Sequence, residues 1–250
     1  MQGTLRLEAQ RARIELREAR MCGVSFPLEM EAKPDGYTAN VRLEMKKEPL
    51  EKAVLCLSGE QVQISGATDL QATLATHGRF AEWPRNLTGA VRLDVRDGRL
   101  QKLELLGRIL SMANFSNLTE VHKATADGFP YRTLIVGGHF ERGQFVVQEA
   151  GLDSNALRLA ASGRVGILQP NTDLTVLVAP LARVDRVVGA IPILGNVLGG
   201  VLTTVPVSVS GDIRDPRVVP LGPNAVSDQL LGVFERTLKL PGKLVVPPPQ

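Results

Sequence analysis

The sequence predicts a mainly β protein: an antiparallel sheet, a β-meander, with a few short amphipathic helices. Three observations carry that expectation. Aliphatic residues recur at every second position in one segment after another, as in Leu174, Val176 and Val178 and again in Val205, Val207 and Val209; that period belongs to strands with one face in apolar surroundings. Short connections holding Gly, Pro and Asp separate these segments, as in Lys33-Pro34-Asp35-Gly36, where Pro presets φ and Asp-Gly supplies the positive-φ position. Finally, the chain is 44% hydrophobic but only 4% aromatic, so its apolar surface is made mostly of Leu, Val, Ile and Ala.

In order along the chain, Leu5, Leu7 and Ala9, then Ile14 and Leu16, alternate with Arg, Glu and Gln and read as one or two strands with a charged outer face. Pro27 marks a sheet edge, and residues 26–46 read as a hairpin about the Pro34-Asp35-Gly36 turn. Leu50, Val54 and Leu57 have helical spacing. Val62 and Ile64, with Leu70, Ala72 and Leu74, make the next strand; residues 80–86 read as a loop carrying Trp83. Leu87, Gly89, Val91, Leu93 and Val95 give the cleanest alternation, which Asp97-Gly98 is expected to end in a turn. Leu103, Leu106, Ile109, Leu110 and Ala113 fit an amphipathic helix.

Four further strands on short connections follow, at 133–141, 144–153, 156–168 and 172–179, an antiparallel meander. Residues 181–202 are apolar but broken by Pro192 and Gly195, which fits two short helical pieces. Asn224 is the expected N-cap of a last helix with the stripe Val226, Leu230, Val233, Phe234 and Leu238, stopped by Pro241-Gly242. The expected organisation is a β-rich domain over 1–220 and an amphipathic helix with a Pro-rich tail over 221–250.

The totals exclude several classes. At 250 residues with 22% charged side chains, a folded chain is expected. The net charge of +3 is spread among interspersed Glu, which argues against a nucleic-acid partner. Neither Cys22 nor Cys56 lies in a CxxC, and His77, His122 and His139 sit near neither, so no metal site is expected. The two cysteines are either inert or joined. The N-terminal stretch is polar, with no signal-peptide core, and Pro192 and the glycines around it weaken the one stretch long enough to span a bilayer.

No GxSxG, SxxK, Walker or HExxH pattern occurs, so no catalytic residue and no cofactor are assigned and an enzyme is not expected. Gly195-Asn196-Val197-Leu198-Gly199-Gly200 lacks the Lys of a phosphate loop, and Asp212 and Asp215 read as turn formers. Three Asn-X-Ser/Thr triplets, at Asn86, Asn114 and Asn117, are discounted as chance. What stands in excess is a one-faced aliphatic sheet. Periodicity leaves two readings open: a sandwich whose apolar face is filled by the chain's own helices, or a face left partly open as a lipid groove.

The runs CLSGEQVQISGATDLQATLATHG, LTGAVRLDVRDGRLQKLELLGRILSMANF, LIVGGHFERGQFVVQEAGLDSNALRLAASGRVGILQPNTDLTVLVAPL and IPILGNVLGG…VPVSVSGDIRDPRVVPLGPNAV, in that order, resemble the C-terminal region of the AsmA-like proteins of the Gram-negative envelope. The resemblance covers most of the chain beyond Ala19. It implies a long curled sheet with a hydrophobic groove, and a role in phospholipid movement to, and integrity of, the outer membrane. It also implies a periplasmic location, with attachment to the inner membrane through a segment not in this chain, which would then be the C-terminal part of a longer protein. The implied partners are a phospholipid or other acyl lipid, a membrane surface and envelope proteins, with an assembly scaffold as the alternative role.

On that reading the lipid-groove residues are Val91, Leu93, Val95, Leu157, Leu159, Leu174, Val176, Val178, Val205, Val207 and Val209. Ile191, Ile193, Leu194, Leu230 and Phe234 would touch the membrane or a partner. An oxidising periplasm would join Cys22 to Cys56.

Overall fold

A computed structural model describes residues 2–59, 64–101, 105, 107–109, 128–180, 204–222 and 225–239. The strands are β1 (Gln2–Glu8), β2 (Arg11–Glu18), β3 (Arg20–Met21), β4 (Val24–Ser25), β5 (Leu28–Lys33), β6 (Gly36–Pro49), β7 (Ile64–Gly78), β8 (Thr88–Leu100), β9 (Phe129–Glu141), β10 (Gln144–Asp153), β11 (Leu157–Gly166), β12 (Asn171–Pro180), β13 (Val205–Asp212) and β14 (Arg217–Pro220). They form one 14-stranded antiparallel sheet in the order β1-β2-β5-β6-β7-β8-β9-β10-β11-β12-β13-β14; β3 pairs with β4, and β4 with β6. Among the described residues the path runs from an edge at β1 to an edge at β14, so the sheet is an open meander and not a barrel.

The turns follow from local chemistry. Between β9 and β10, Arg142 and Gly143 take φ of 48° and 75°. Two consecutive left-handed residues match the twist of a tight hairpin, and Gly supplies one at no steric cost. Between β13 and β14, the Asp212 carboxylate accepts the Arg214 N–H at 2.8 Å and the Asp215 N–H bonds the Asp212 carbonyl at 3.0 Å, so both acids are turn formers.

Asp97-Gly98 behaves differently from its sequence expectation. It does not turn the chain: β8 continues to Leu100, with Gly98 opposite Tyr131 and Leu100 opposite Phe129. Asp97 takes φ 51° and the pairing with β7 slips between Ser65 and Ala67, which makes a bulge. Tyr131 explains the glycine. Its hydroxyl donates to the Ser65 carbonyl at 2.6 Å, and any Cβ at position 98 would collide with that carbonyl and the phenol. Burial pushes the Tyr131 hydroxyl pKa up to about 12, with a smaller push from Glu51.

Among the described residues, three helices of defined extent flank the sheet. α1 (Leu50–Ser58) ends on Gly59 in the left-handed conformation. The expected loop after β7 is instead a 3-10 turn, Phe80–Glu82, running into α2 (Trp83–Asn86), where Pro84 suits the first helical turn. α3 (Asp228–Lys239) begins after Ser227, whose hydroxyl accepts the Leu230 N–H at 3.3 Å; the expected cap, Asn224, lies outside the described residues. Of the amphipathic stretch 103–113, residues 105 and 107–109 are described and are helical, and Ile109 is buried. The apolar segment 181–202 and Pro241-Gly242 lie outside the described residues.

Cys22, in the β3–β4 turn, is disulfide-bonded to Cys56 on α1 with Cα atoms 5.6 Å apart. The closed loop spans 34 residues, a length for which chain entropy predicts about 3–4 kcal/mol of stabilisation. The bridge holds α1 over one end of the sheet, where Ala53 packs with Val24 and Met45.

A candidate apolar surface

Register shows how far the alternation extends. Reading straight across the sheet, Met45, Leu70, Leu93, Val136, Ala150, Ala161, Val176 and Val207 are successive cross-strand partners. A second row runs Leu43, Ala72, Val91, Gly138, Val147, Gly163, Leu174, Val209 and Val218. A third runs Leu16, Leu28, Val41, Leu74, Gly89, Phe140 and Phe145, and a fourth Leu5, Ile14, Met30 and Ala39. All lie on one face, because each strand contributes alternate residues. The first row crosses eight strands, roughly 35 Å at the usual strand spacing.

Burial along this face is graded. At β1, Leu5 and Leu7 are 62% and 73% exposed. From β2 to β9 most of the apolar positions are half-buried, including Ile14, Leu16, Leu28, Val41, Leu43, Leu74, Val91, Leu93 and Val136. Toward β13 the face closes into a core holding Val95, Ile109, Phe129, Leu152, Leu157, Val176, Val178, Val205, Val207 and Val209.

The opposite face is charged over β1 to β8. Glu31 takes Arg13 at 2.7 Å, Lys33 at 3.1 Å and Arg11 at 3.5 Å. Hydrogen bonds from Arg13 and then Lys33 lower its carboxyl pKa to about 2. Arg92 bonds both Asp94 and Glu149 at 3.0 Å; burial opposes its charge, but the two carboxylates outweigh that and raise its pKa. On β11 and β12 this face carries an apolar patch, Ala160, Leu177 and Ala179, covered by α3.

The eleven groove candidates therefore come together on one face. Seven of them, Val95, Leu157, Val176, Val178, Val205, Val207 and Val209, are buried; Val91, Leu93, Leu159 and Leu174 are half-buried. The membrane or partner role expected for Leu230 and Phe234 is corrected. Both are fully buried, packed with Val233 against Ala160, Leu177 and Ala179 on the face opposite the groove candidates. Arg236 bonds Glu149 at 3.4 Å and Gln229 bonds the Gln148 carbonyl at 3.3 Å, pinning α3 at both ends. Ile191, Ile193 and Leu194 lie outside the described residues.

Alternation marks the aliphatic positions on β1 to β7, but it does not reveal which stretch of a face is covered. Among the described residues no cluster of three metal-ligating side chains occurs, and no helix is long and apolar enough to cross a membrane. In comparisons with family models, curated proteins and solved structures, nothing matched the chain.

Proposed function

We propose that this chain is a non-enzymatic envelope module that carries phospholipid between the inner and outer membranes along its apolar face. The observation that supports it most is the set of largely aliphatic rows, exposed at β1, mostly half-buried from β2 to β9 and buried toward β13. Exposing an acyl chain to water costs roughly 0.8 kcal/mol per methylene. A surface that replaces water along the chain lowers that cost without a catalytic group. One leaflet accounts for about half of a hydrocarbon core roughly 30 Å thick, so a row of eight strands outreaches a single acyl chain. The Cys22–Cys56 bridge is consistent with an oxidising compartment such as the periplasm. The resemblance to AsmA-like sequences points the same way.

The test is lipid mass spectrometry on the purified protein, with a Val41→Asp/Leu74→Asp variant. Both side chains are half-buried cross-strand neighbours, so Asp there disturbs the fold less than Asp at the buried Val176 or Val207. Co-purified phospholipid, lost in the double variant with an unchanged circular dichroism spectrum, is the expected result. Lipid-free wild-type protein would contradict it.

A second reading, an envelope scaffold that binds proteins, is favoured by the filled core between β11 and β13 and by the free β1 edge, whose seven residues are all exposed. That reading predicts lipid-free protein and capture of an extended strand at β1.

A further inference from the structure

We propose that the rim formed by alternate turns of the meander is a docking surface for a phospholipid bilayer. In a meander every second connection falls at the same end of the sheet. One rim therefore collects the connections at 9–10, 34–35, 79–87, 142–143, 167–170 and 213–216. The last four touch one another in sequence. The Ile167 N–H bonds the Gly143 carbonyl at 2.9 Å, and Leu168 Cδ1 and Arg85 Cα lie 3.0 and 3.7 Å from where a side chain on Gly143 would begin. The Ile213 N–H bonds the Pro170 carbonyl at 2.7 Å.

The tips along this continuous rim are large and apolar: Phe80, Trp83, Leu168 and Ile213 are 78%, 41%, 50% and 49% exposed. Together they make a contiguous apolar strip, and Trp and Phe flanked by cations are the composition of an interfacial anchor. Charge complementarity selects phosphate headgroups as the partner. Three exposed carboxylates here engage local partners: Glu82 accepts the Arg79 N–H at 3.2 Å, Asp212 accepts the Arg214 N–H at 2.8 Å, and Asp215 pairs with Arg108 at 2.5 Å. The guanidinium groups of Arg85, Arg142 and Arg214 are exposed and have no hydrogen-bond or ion-pair partner among the described residues. The rim thus offers free cations beside bare apolar tips.

Its position also connects it to the apolar face. Tyr37, on that face, lies with its ring centroid 6.0 Å from that of Phe80, and the Phe140–Phe145 pair, at 4.9 Å, closes the third row at the same rim. A lipid leaving the bilayer here would meet the aliphatic rows at once; that consequence rests on the proposed lipid-carrying function, while membrane binding itself does not.

Trp83 is the single tryptophan of the chain, so its fluorescence reports the contact directly. The full chain is mixed with phosphatidylcholine vesicles, with and without a minority of phosphatidylglycerol, and with vesicles carrying brominated acyl chains. The expected result is co-sedimentation, a blue-shifted emission and quenching by bromine. Phe80→Asp/Ile213→Asp removes two exposed anchors and lowers partitioning by about tenfold or more. Arg85→Gln/Arg142→Gln weakens binding, most with the anionic vesicles. Absence of binding, binding without quenching of Trp83, or loss of binding on Leu55→Asp/Leu57→Asp at the opposite rim with the Phe80/Ile213 variant unaffected would each overturn the proposal. Co-purified phospholipid together with failed vesicle binding would reject the rim and leave the lipid-carrying function standing.

Discussion

Glu31 shows how a single side chain on the polar face contributes. It gathers Arg11, Arg13 and Lys33, and its pKa falls from 4.5 to about 2. A carboxylate depressed in the folded state stabilises the fold above its unfolded pKa, and that contribution is lost as pH falls through the folded value. Glu31→Gln should therefore show a shallower fall of the urea midpoint than wild type between pH 4.5 and pH 2, with little difference in slope at neutral pH. Parallel acid limbs would show that the cluster contributes nothing to stability. At the same scale, Gly98 is needed because Tyr131 closes over Ser65, a contact between strands far apart in sequence. Asp-Gly therefore reads as a turn when seen alone, and only the partner strand makes it a bulge.

At the scale of elements, the terminal helix teaches the most. Its stripe of Leu230, Val233 and Phe234 was legible as an apolar helix face, but periodicity does not say what covers a stripe. The covering surface is Ala160, Leu177 and Ala179 on β11 and β12, an apolar patch on the face that is charged over β5 to β8. That difference was present in the runs Leu157–Ala161 and Leu174–Ala179, where Ala160, Leu177 and Ala179 take intervening positions beside Arg158 and Thr175. Phe234→Ala should destabilise the protein by about 3–5 kcal/mol, measured by denaturant unfolding. It should leave vesicle binding at the opposite rim unchanged. A change below about 1 kcal/mol would mean that the helix is only loosely seated.

For the molecule as a whole, the meander was legible because strand period, turn chemistry and short connections all agreed; residues 144–153 as a strand, for instance, match β10 end to end. The gradient of burial was not legible, since Val41 and Val176 carry the same alternating signal. One is half open and the other is covered because Ile109 and the neighbouring strands close over the later rows. The result is a sheet that is a protein core at one end and an accessible aliphatic wall at the other. The lipid-carrying account depends on that accessible wall.

The most direct test places a photoreactive amino acid at Val41 or Leu74 on the apolar face, and at Asn40 or Thr73 on the polar face, in cells fed radiolabelled acyl chains. The account predicts labelled adducts from Val41 and Leu74 and none from Asn40 and Thr73. Equal labelling of both faces, or none on either, would contradict it.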